Sequence, residues 1–349
     1  QRDQYEAGQC TVRVLDPLSY FNPQNTSSPY YGKLVPLRKL RVSATVGGVG
    51  YFLFSGYTTD YKYYYPQNQE TGYVDIVCSD AFRLMQQAGI VGVTDATAGQ
   101  DTGTRIGKIL DQVSFPTSMR TIDTGNTTCI ADPATSRTAL DAIKNAEFSE
   151  QGAFYINPAG TAIFINRTNV IKKYGNTPTE FNQSGGIPYT DLRFAFDDKL
   201  IINSSTMTRY GGTAQSATDS TSIAKYFPHQ LNQSNLVLQT DADALNVAKI
   251  YVATRAETTI RIDAMTVDLM DPAVPTATML ALDYFSNLKI TNVQPDGSTI
   301  VKTLQAQGLD WSITPNSMKV TVTTLEPIVE GFIIGSSISG IIGTNIMAY

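Results

Sequence analysis

The single histidine of the 349-residue chain, His229, lies in the run Tyr226-Phe227-Pro228-His229. A Ser-His-Asp or Cys-His site would have to be built on it, because no other imidazole is available. It follows a proline in a loop, and no G-x-S-x-G elbow exists to present a nucleophile. A loop or interface histidine is the preferred reading. Glycoside hydrolysis would need two carboxylates across a cleft, for which Asp197-Asp198 and Asp263 with Asp268 are available. Adjacent aspartates at strand starts more often serve turns and caps. Gly47-Gly48-Val49-Gly50 and Gly211-Gly212 lack both the Lys-Ser/Thr ending of a phosphate loop and G-x-G-x-x-G spacing, so they read as hairpin turns. Cys10, Cys78 and Cys129 are far apart in the chain and form no CxxC pair. Zinc sites need closely spaced ligands, and this sparse, odd set points to free thiols in a reducing compartment. No catalytic, cofactor-binding or metal-binding residue emerges, and the chain reads as a non-enzyme.

Tyrosines offer a different chemistry. There are nineteen, with Tyr61, Tyr63, Tyr64 and Tyr65 in one short run. Tyrosine is enriched at interfaces because its ring buries area while its hydroxyl stays polar. The run suggests a protein- or sugar-binding face, with Tyr61, Tyr63 and Tyr65 as same-face strand packing the alternative. The stretch 331–349, including Phe332 and Tyr349, carries no charge and approaches bilayer length. Its serines and glycines make a poor membrane helix, so a partner-covered segment is preferred over stable membrane insertion.

Composition supports an assembly role. Hydrophobic residues make up 42%, enough for real cores, while charged residues are only 16%, against roughly 25% in soluble domains. So weakly charged a surface is poorly protected against association. Net charge is −5 without a basic block, which disfavours binding through phosphate neutralisation. A weakly acidic chain still suits a conduit through which DNA slides without sticking. Gln1 opens the chain without Met or a signal peptide, the expectation being a processed or incomplete start.

The elements that would position these residues follow from periodicity. Cys10, Val12 and Val14 alternate with Thr11, Arg13 and Leu15 in a half-buried strand closed by Asp16-Pro17. Residues 39–46 and 50–57 flank Gly47-Gly48 as a hairpin, and 72–78 adds a strand. Ser79 is expected to cap a short helix carrying Phe82 and Met85, and Thr102 one carrying Ile106, Ile109 and Leu110. A third helix runs over about 138–148, followed by a hairpin across 153–166. The polar run 175–186 reads as a linker. Strands at 200–210, 213–217, 258–269, 287–293, 299–307 and 318–325, with a helix over 241–256, complete a second β block. The predicted class is β-rich α+β, two β blocks flanking a small α/β module.

A family likeness runs along this order. Asn25–Pro36 (NTSSPYYGKLVP), Leu53–Tyr57, Cys78–Phe82, Thr102–Pro116, Arg120–Gly125, Ala139–Arg167, Asn203–Tyr226, Gly308–Val322 and Gly343–Tyr349 together resemble minor tail or tail hub proteins of long-tailed bacteriophages. Phe227-Pro228-His229 departs from the family's usual Gly-Arg-like continuation. The resemblance implies tail-tube-like β-barrels over 1–79 (with its first strand possibly lacking) and 187–330 (with one helix). These flank an α/β module over 80–186 and precede an apolar segment over 331–349. It further implies a virion structural protein, assembled in the bacterial host cytoplasm. At the tail tip it would form a homotrimeric hub continuing the tail tube. Partners would be the distal tail protein, the tape measure protein and tip or fibre proteins, with DNA only in transient passage through the lumen. A receptor- or carbohydrate-binding module of the tail tip is the alternative.

Overall fold

The computed structural model describes residues 4–67, 72–183, 185–258 and 260–326. Phe332, Tyr349 and the rest of the apolar segment lie outside them. The chain opens with β1 (Gln9–Leu15), β2 (Lys39–Val46), β3 (Val49–Tyr64) and β4 (Tyr73–Ser79), all antiparallel in the order β1-β4-β3-β2. Gly47 (φ +58°) and Gly48 (φ +81°) make the tight turn between β2 and β3, the positive-φ pair that matches strand twist. Strand β3 is 16 residues long: its first half pairs with β2 and its second with β4. The tyrosine run therefore continues β3, instead of lying beyond the hairpin.

A small α/β module follows, made of α1 (Phe82–Gln87), β5 (Gly89–Ile90), α2 (Thr102–Gln112), β6 (Arg120–Ile122), β7 (Arg137–Thr138), α3 (Ala139–Glu150), β8 (Ala153–Ile156), β9 (Ala162–Ile165) and α4 (Arg167–Tyr174). Its core gathers Phe82, Met85, Ile106, Leu110, Ile143, Phe154 and Phe164. Thr138 and Asp141 close a capping box on α3. Neither expected cap forms at its residue, and α1 starts from Ala81 with no side-chain cap. Ser79 ends β4, and the Asp80 carboxylate accepts from the Phe82 amide at 2.9 Å. Asp101 caps α2, while the Thr102 hydroxyl donates inward to the buried Glu150 at 2.7 Å.

The expected linker holds β10 (Thr179–Asn182), whose Phe181 is fully buried, and β11 (Asp191–Ala195) comes next. A second compact unit interrupts the sheet that these strands begin: β12 (Ser204–Arg209), β13 (Gln215–Thr218), α5 (Ser220–Tyr226), β14 (Gln230–Leu236) and α6 (Asp241–Arg255). Here α6 packs on the order β13-β12-β14 around Met207, Leu236, Ala244, Ala248 and Tyr251. The chain then returns through β15 (Arg261–Asp268), α7 (Thr276–Leu280), β16 (Asn287–Val293), β17 (Thr299–Thr314) and β18 (Ser317–Leu325). These assemble the six-stranded sheet β10-β16-β17-β18-β15-β11. The expectation of one helix over 187–330 is thus corrected: α5, α6 and α7 all form. Asp219 caps the short polar α5, and α7 lends Met279 and Leu280 to the core, packing that a weak local period does not announce.

The two β regions share one design. Strands β15, β16, β17 and β18 repeat the antiparallel order of β1, β2, β3 and β4, as β15-β18-β17-β16. In both copies the third strand is 16 residues long and divides itself between its neighbours. Both sheets are open among the described residues. β1 and β2 are the edges of the first, β10 and β11 of the second. Ala44, Val46, Tyr51 and Leu53 of the first hairpin pack against the core of the second sheet.

Candidate assembly interface

The expected tyrosines sit where β3 passes β4, and alternation divides them between faces. Tyr61 and Tyr63 lie opposite Ile76 and Val74 on the inner face, where Tyr61 joins the cluster of Val74, Ile76 and Cys78. Tyr63 stacks on Tyr65 with ring centroids 6.1 Å apart. Tyr64 turns to the outer face and stacks on Tyr73 at 4.9 Å. These stacks engage the rings within the sheet, and two of the hydroxyls are engaged as well. The Tyr65 hydroxyl donates to Asp16 at 2.8 Å and the Tyr61 hydroxyl to the Val35 carbonyl at 3.5 Å. Burial and the Asp16 carboxylate raise the Tyr65 phenol well above its usual range.

Asp16 organises this end of the sheet. Its carboxylate also accepts from the Tyr20 and Phe21 amides at 2.8 and 2.9 Å. The long 16–38 connection is thereby bound to the strand ends through tight turns. Its larger apolar side chains nevertheless face outward, among them Leu18 (62% exposed), Tyr31 and Leu37. On the outer face, Leu15 (76% exposed), Tyr73 and Tyr64 form one cross-strand row, and Arg13, Asp75 and Lys62 the next. Arg13 pairs with Asp75 at 2.8 Å and lies 4.0 Å over the Tyr73 ring. The hydrogen bond from Arg13 holds the Asp75 carboxyl below its usual range. Sequence alternation marked Arg13 and Leu15 as one face but gave no sign that Tyr73 and Tyr64 would join them.

A feature that sequence reasoning missed is the strap 4–8, which ties the start of β1 to both other regions. The Tyr5 ring packs on Tyr155, Tyr284 and Phe285, and its hydroxyl donates to Gln307 at 2.5 Å. Lys144 donates to the Tyr5 carbonyl at 2.8 Å and to the buried Glu147 at 3.0 Å. Asp80 accepts from the Gly8 amide at 2.6 Å. Burial pushes both the Asp80 and Glu147 carboxyls up to about 6, against the opposing pull of these donors.

The residues considered for catalysis come together in part: His229 Nε2 lies 3.7 Å from the exposed Asp198 carboxylate, and Asp197 and Asp263 share Arg261. His229 places Nε2 3.0 Å from the Tyr226 carbonyl, and its amide donates to Asn203 at 2.7 Å. Arg261 binds Asp197 at 2.8 Å and Asp263 at 2.6 Å. The Arg261 hydrogen bond pulls the Asp197 carboxyl down to about 2, which fixes it as an anion and unsuits it to proton donation. Among the described residues, no group of three His, Cys, Asp or Glu is placed to hold a metal, and no helix is long and apolar enough to cross a membrane.

No family model matches the sequence, and no curated protein matches it. Similarity is found among solved structures. The 43 kDa tail protein of prophage MuSo2 from Shewanella oneidensis aligns with a TM-score of 0.56 at 11% identity, over 93% of this chain and 91% of that one. A tail protein from Neisseria meningitidis MC58 aligns with a TM-score of 0.54 at 10% identity, over 82% and 83%. Across nearly its whole length, the chain has the β-rich α+β fold of these two tail proteins.

Proposed function

We propose that this chain is a structural subunit of a phage tail, working as a homotrimeric hub at the tail tip. The observation that carries the reading is the repeated four-stranded motif, β1-β4-β3-β2 and β15-β18-β17-β16, within one chain of tail-protein fold. Three copies set six such motifs around one axis, a pseudo-sixfold ring that continues a tail tube. Strands β1–β4 supply one tail-tube-like barrel domain, and β15–β18 with β10 and β11 supply the other, with the α/β module between them. Neighbouring copies cover the free edges of β1 and β2, since bare edges otherwise invite uncontrolled pairing. The ring joins the distal tail and tape measure proteins on one side to tip or fibre proteins on the other, and DNA crosses its lumen without stable binding.

Light scattering on the purified chain tests the assembly. Three times the 38.0 kDa chain mass, with threefold class averages in electron micrographs, is the expected result. A monomer that persists at high protein concentration and never localises to a tail end sinks the reading.

A further inference from the structure

Cys10 and Cys78, far apart in the chain, stand directly opposite one another on β1 and β4. Two backbone bonds fix the kind of pair they form. The Asp16 amide donates to the Gly72 carbonyl at 2.8 Å, and the Asp80 amide to the Gly8 carbonyl at 2.9 Å. Between these ends the ladder runs without a slip, so even-numbered residues of β1 occupy the hydrogen-bonded positions. Such pairs have Cα atoms about 5.5 Å apart, inside the roughly 4.4–6.8 Å window of a disulfide. Their Cβ atoms lie at the wide end of about 4.5–5.5 Å and must draw in to about 3.5–4.5 Å as the bond forms. Directly opposed residues project to the same face of a sheet, here the inner face that holds Val74 and Ile76.

Both thiols are free. Cys78 is 1% exposed and its Sγ lies 3.7 Å from the Thr58 hydroxyl, whereas Cys10 is half-buried. Reagents therefore meet Cys10 first. Cys129 is fully buried in the core of the α/β module, away from this pair.

We propose that Cys10 and Cys78 form an oxidisable dithiol that closes into a cross-strand disulfide and fastens the edge strand β1 to β4. The oxidant is a small-molecule disulfide such as oxidised glutathione. The Cys10 thiolate attacks one of its sulfurs, the glutathione S–S bond breaks, and one glutathione thiolate leaves. The Cys78 thiolate then attacks the Cys10 sulfur of the mixed disulfide and expels the second glutathione. The protein gives up two electrons and two protons, and the small disulfide becomes two thiols. Burial raises both protein thiols above their usual range, so the exchange is slow at neutral pH and quickens as pH rises. Among the described residues strand β1 has β4 as its one partner, so this bond closes a loop over the entire first motif and narrows its unfolded ensemble. The reaction stands independently of the tail reading, although a chain made in a reducing cytoplasm and released into an oxidising medium would meet both conditions.

The test treats the full-length chain with oxidised glutathione at mildly alkaline pH, quenches with acid, alkylates and maps peptides without reduction. The expected product is one linked pair of peptides carrying Cys10 and Cys78, two hydrogen atoms lighter than their sum, with Cys129 alkylated only after denaturation. Amide exchange at Cys10, Val12 and Val14 should slow by about tenfold or more, and dithiothreitol should restore the original rates. Cys10→Ser and Cys78→Ser should each abolish the linkage. Glutathione retained on Cys10 beside a free Cys78 thiol, Cys10-linked dimers, or three unreacted thiols would each overturn the proposal.

Discussion

The two four-stranded motifs share a strand order but not a burial pattern. In the second, Met265, Val267, Leu288, Ile290, Leu304, Val320 and Val322 are fully buried. In the first, neither β1 nor β2 carries a single fully buried residue, although both alternate as cleanly. The difference lies in what covers them. The connection from β15 to β16 folds back with Leu269, Val274, Met279, Leu280 and Leu282 over the sheet, β10 adds Phe181, and the first hairpin adds Leu53. The corresponding connection 16–38 contributes Phe21 to the inner cluster and turns Leu18, Tyr31 and Leu37 outward. Strands β10 and β11 also pair with the outer strands of the second motif, while β1 and β2 have no such neighbours among the described residues. A pattern of alternating residues thus specifies a face, whereas burial of that face depends on segments elsewhere. The first motif is the one whose sequence asks for more cover than its own chain supplies.

The largest expected effect compares equivalent strands. Val267→Ala, at a fully buried site of β15, should cost roughly 2–3 kcal/mol of stability, the lost transfer energy plus the cavity left behind. Val12→Ala, at a half-buried site of β1, should cost under about 1 kcal/mol in the isolated chain. Urea midpoints at constant slope measure both. Equal losses would break the contrast between the motifs.

How much of this was legible follows the same physics. The strands of the first motif, the turn at Gly47-Gly48 and the capping of α3 by Thr138 are local signals, and they place β1, β2, β4 and α3 to within a few residues. Strand β10 (TEFN) has one apolar residue and exists because β16 offers it a parallel partner. Strand β14 (QLNQSNL) is mostly polar and likewise depends on β12. At the candidate interface, the tyrosine cluster was visible but its division between faces depended on how far β3 extends. The opposition of Cys10 to Cys78 and the reach of Tyr5 to Gln307 are long-range facts that spacing alone does not encode.

The strap that joins the two motifs gives a pH signature. Asp80 and Glu147 have folded values of about 6, above the unfolded range near 4. The native state therefore binds more protons between these limits. Its added stability is fully present below the unfolded values and is lost as pH rises through about 6. Carboxyls held low by hydrogen bonds, such as Asp101 and Asp241, act below pH 4 and leave this window undisturbed. Stability should fall by on the order of 2 kcal/mol between pH 4.5 and 7, read from urea melts at each pH. Asp80→Asn should flatten much of that slope. An unchanged slope would remove the strap from the account of how the first motif is held.

A smaller effect tests the bare edge directly. Odd-numbered residues of β1 point their amides away from β4, by the register that the Asp16 and Asp80 amides define. Thr11→Pro therefore leaves the β1–β4 ladder intact but deletes a donor that an added strand would use, a change that edge strands tolerate. The monomer should keep its fold by circular dichroism, while self-association weakens by about tenfold, or ~1.4 kcal/mol. Association unaffected by this change would place the contact between copies away from the edge of β1.

The smallest effect is expected on the outer face, and it separates binding from stability. Arg13 and Asp75 make a good 2.8 Å pair beneath the Tyr73 ring contact, yet the pair is exposed and its attraction is screened by water and salt. Removing Arg13 leaves Asp75 solvated instead of buried, so no desolvated charge is stranded. Arg13→Ala should leave the Tm of the isolated chain unchanged within error. If the row Leu15, Tyr73 and Tyr64 meets a partner, the same substitution should still weaken that association, because an arginine beside an aromatic ring gains strength once a partner excludes water. Analytical ultracentrifugation of the variant against the parent chain reads this out. A fall in Tm with association intact would reverse the assignment and make Arg13 a prop of the first motif instead of part of its contact surface.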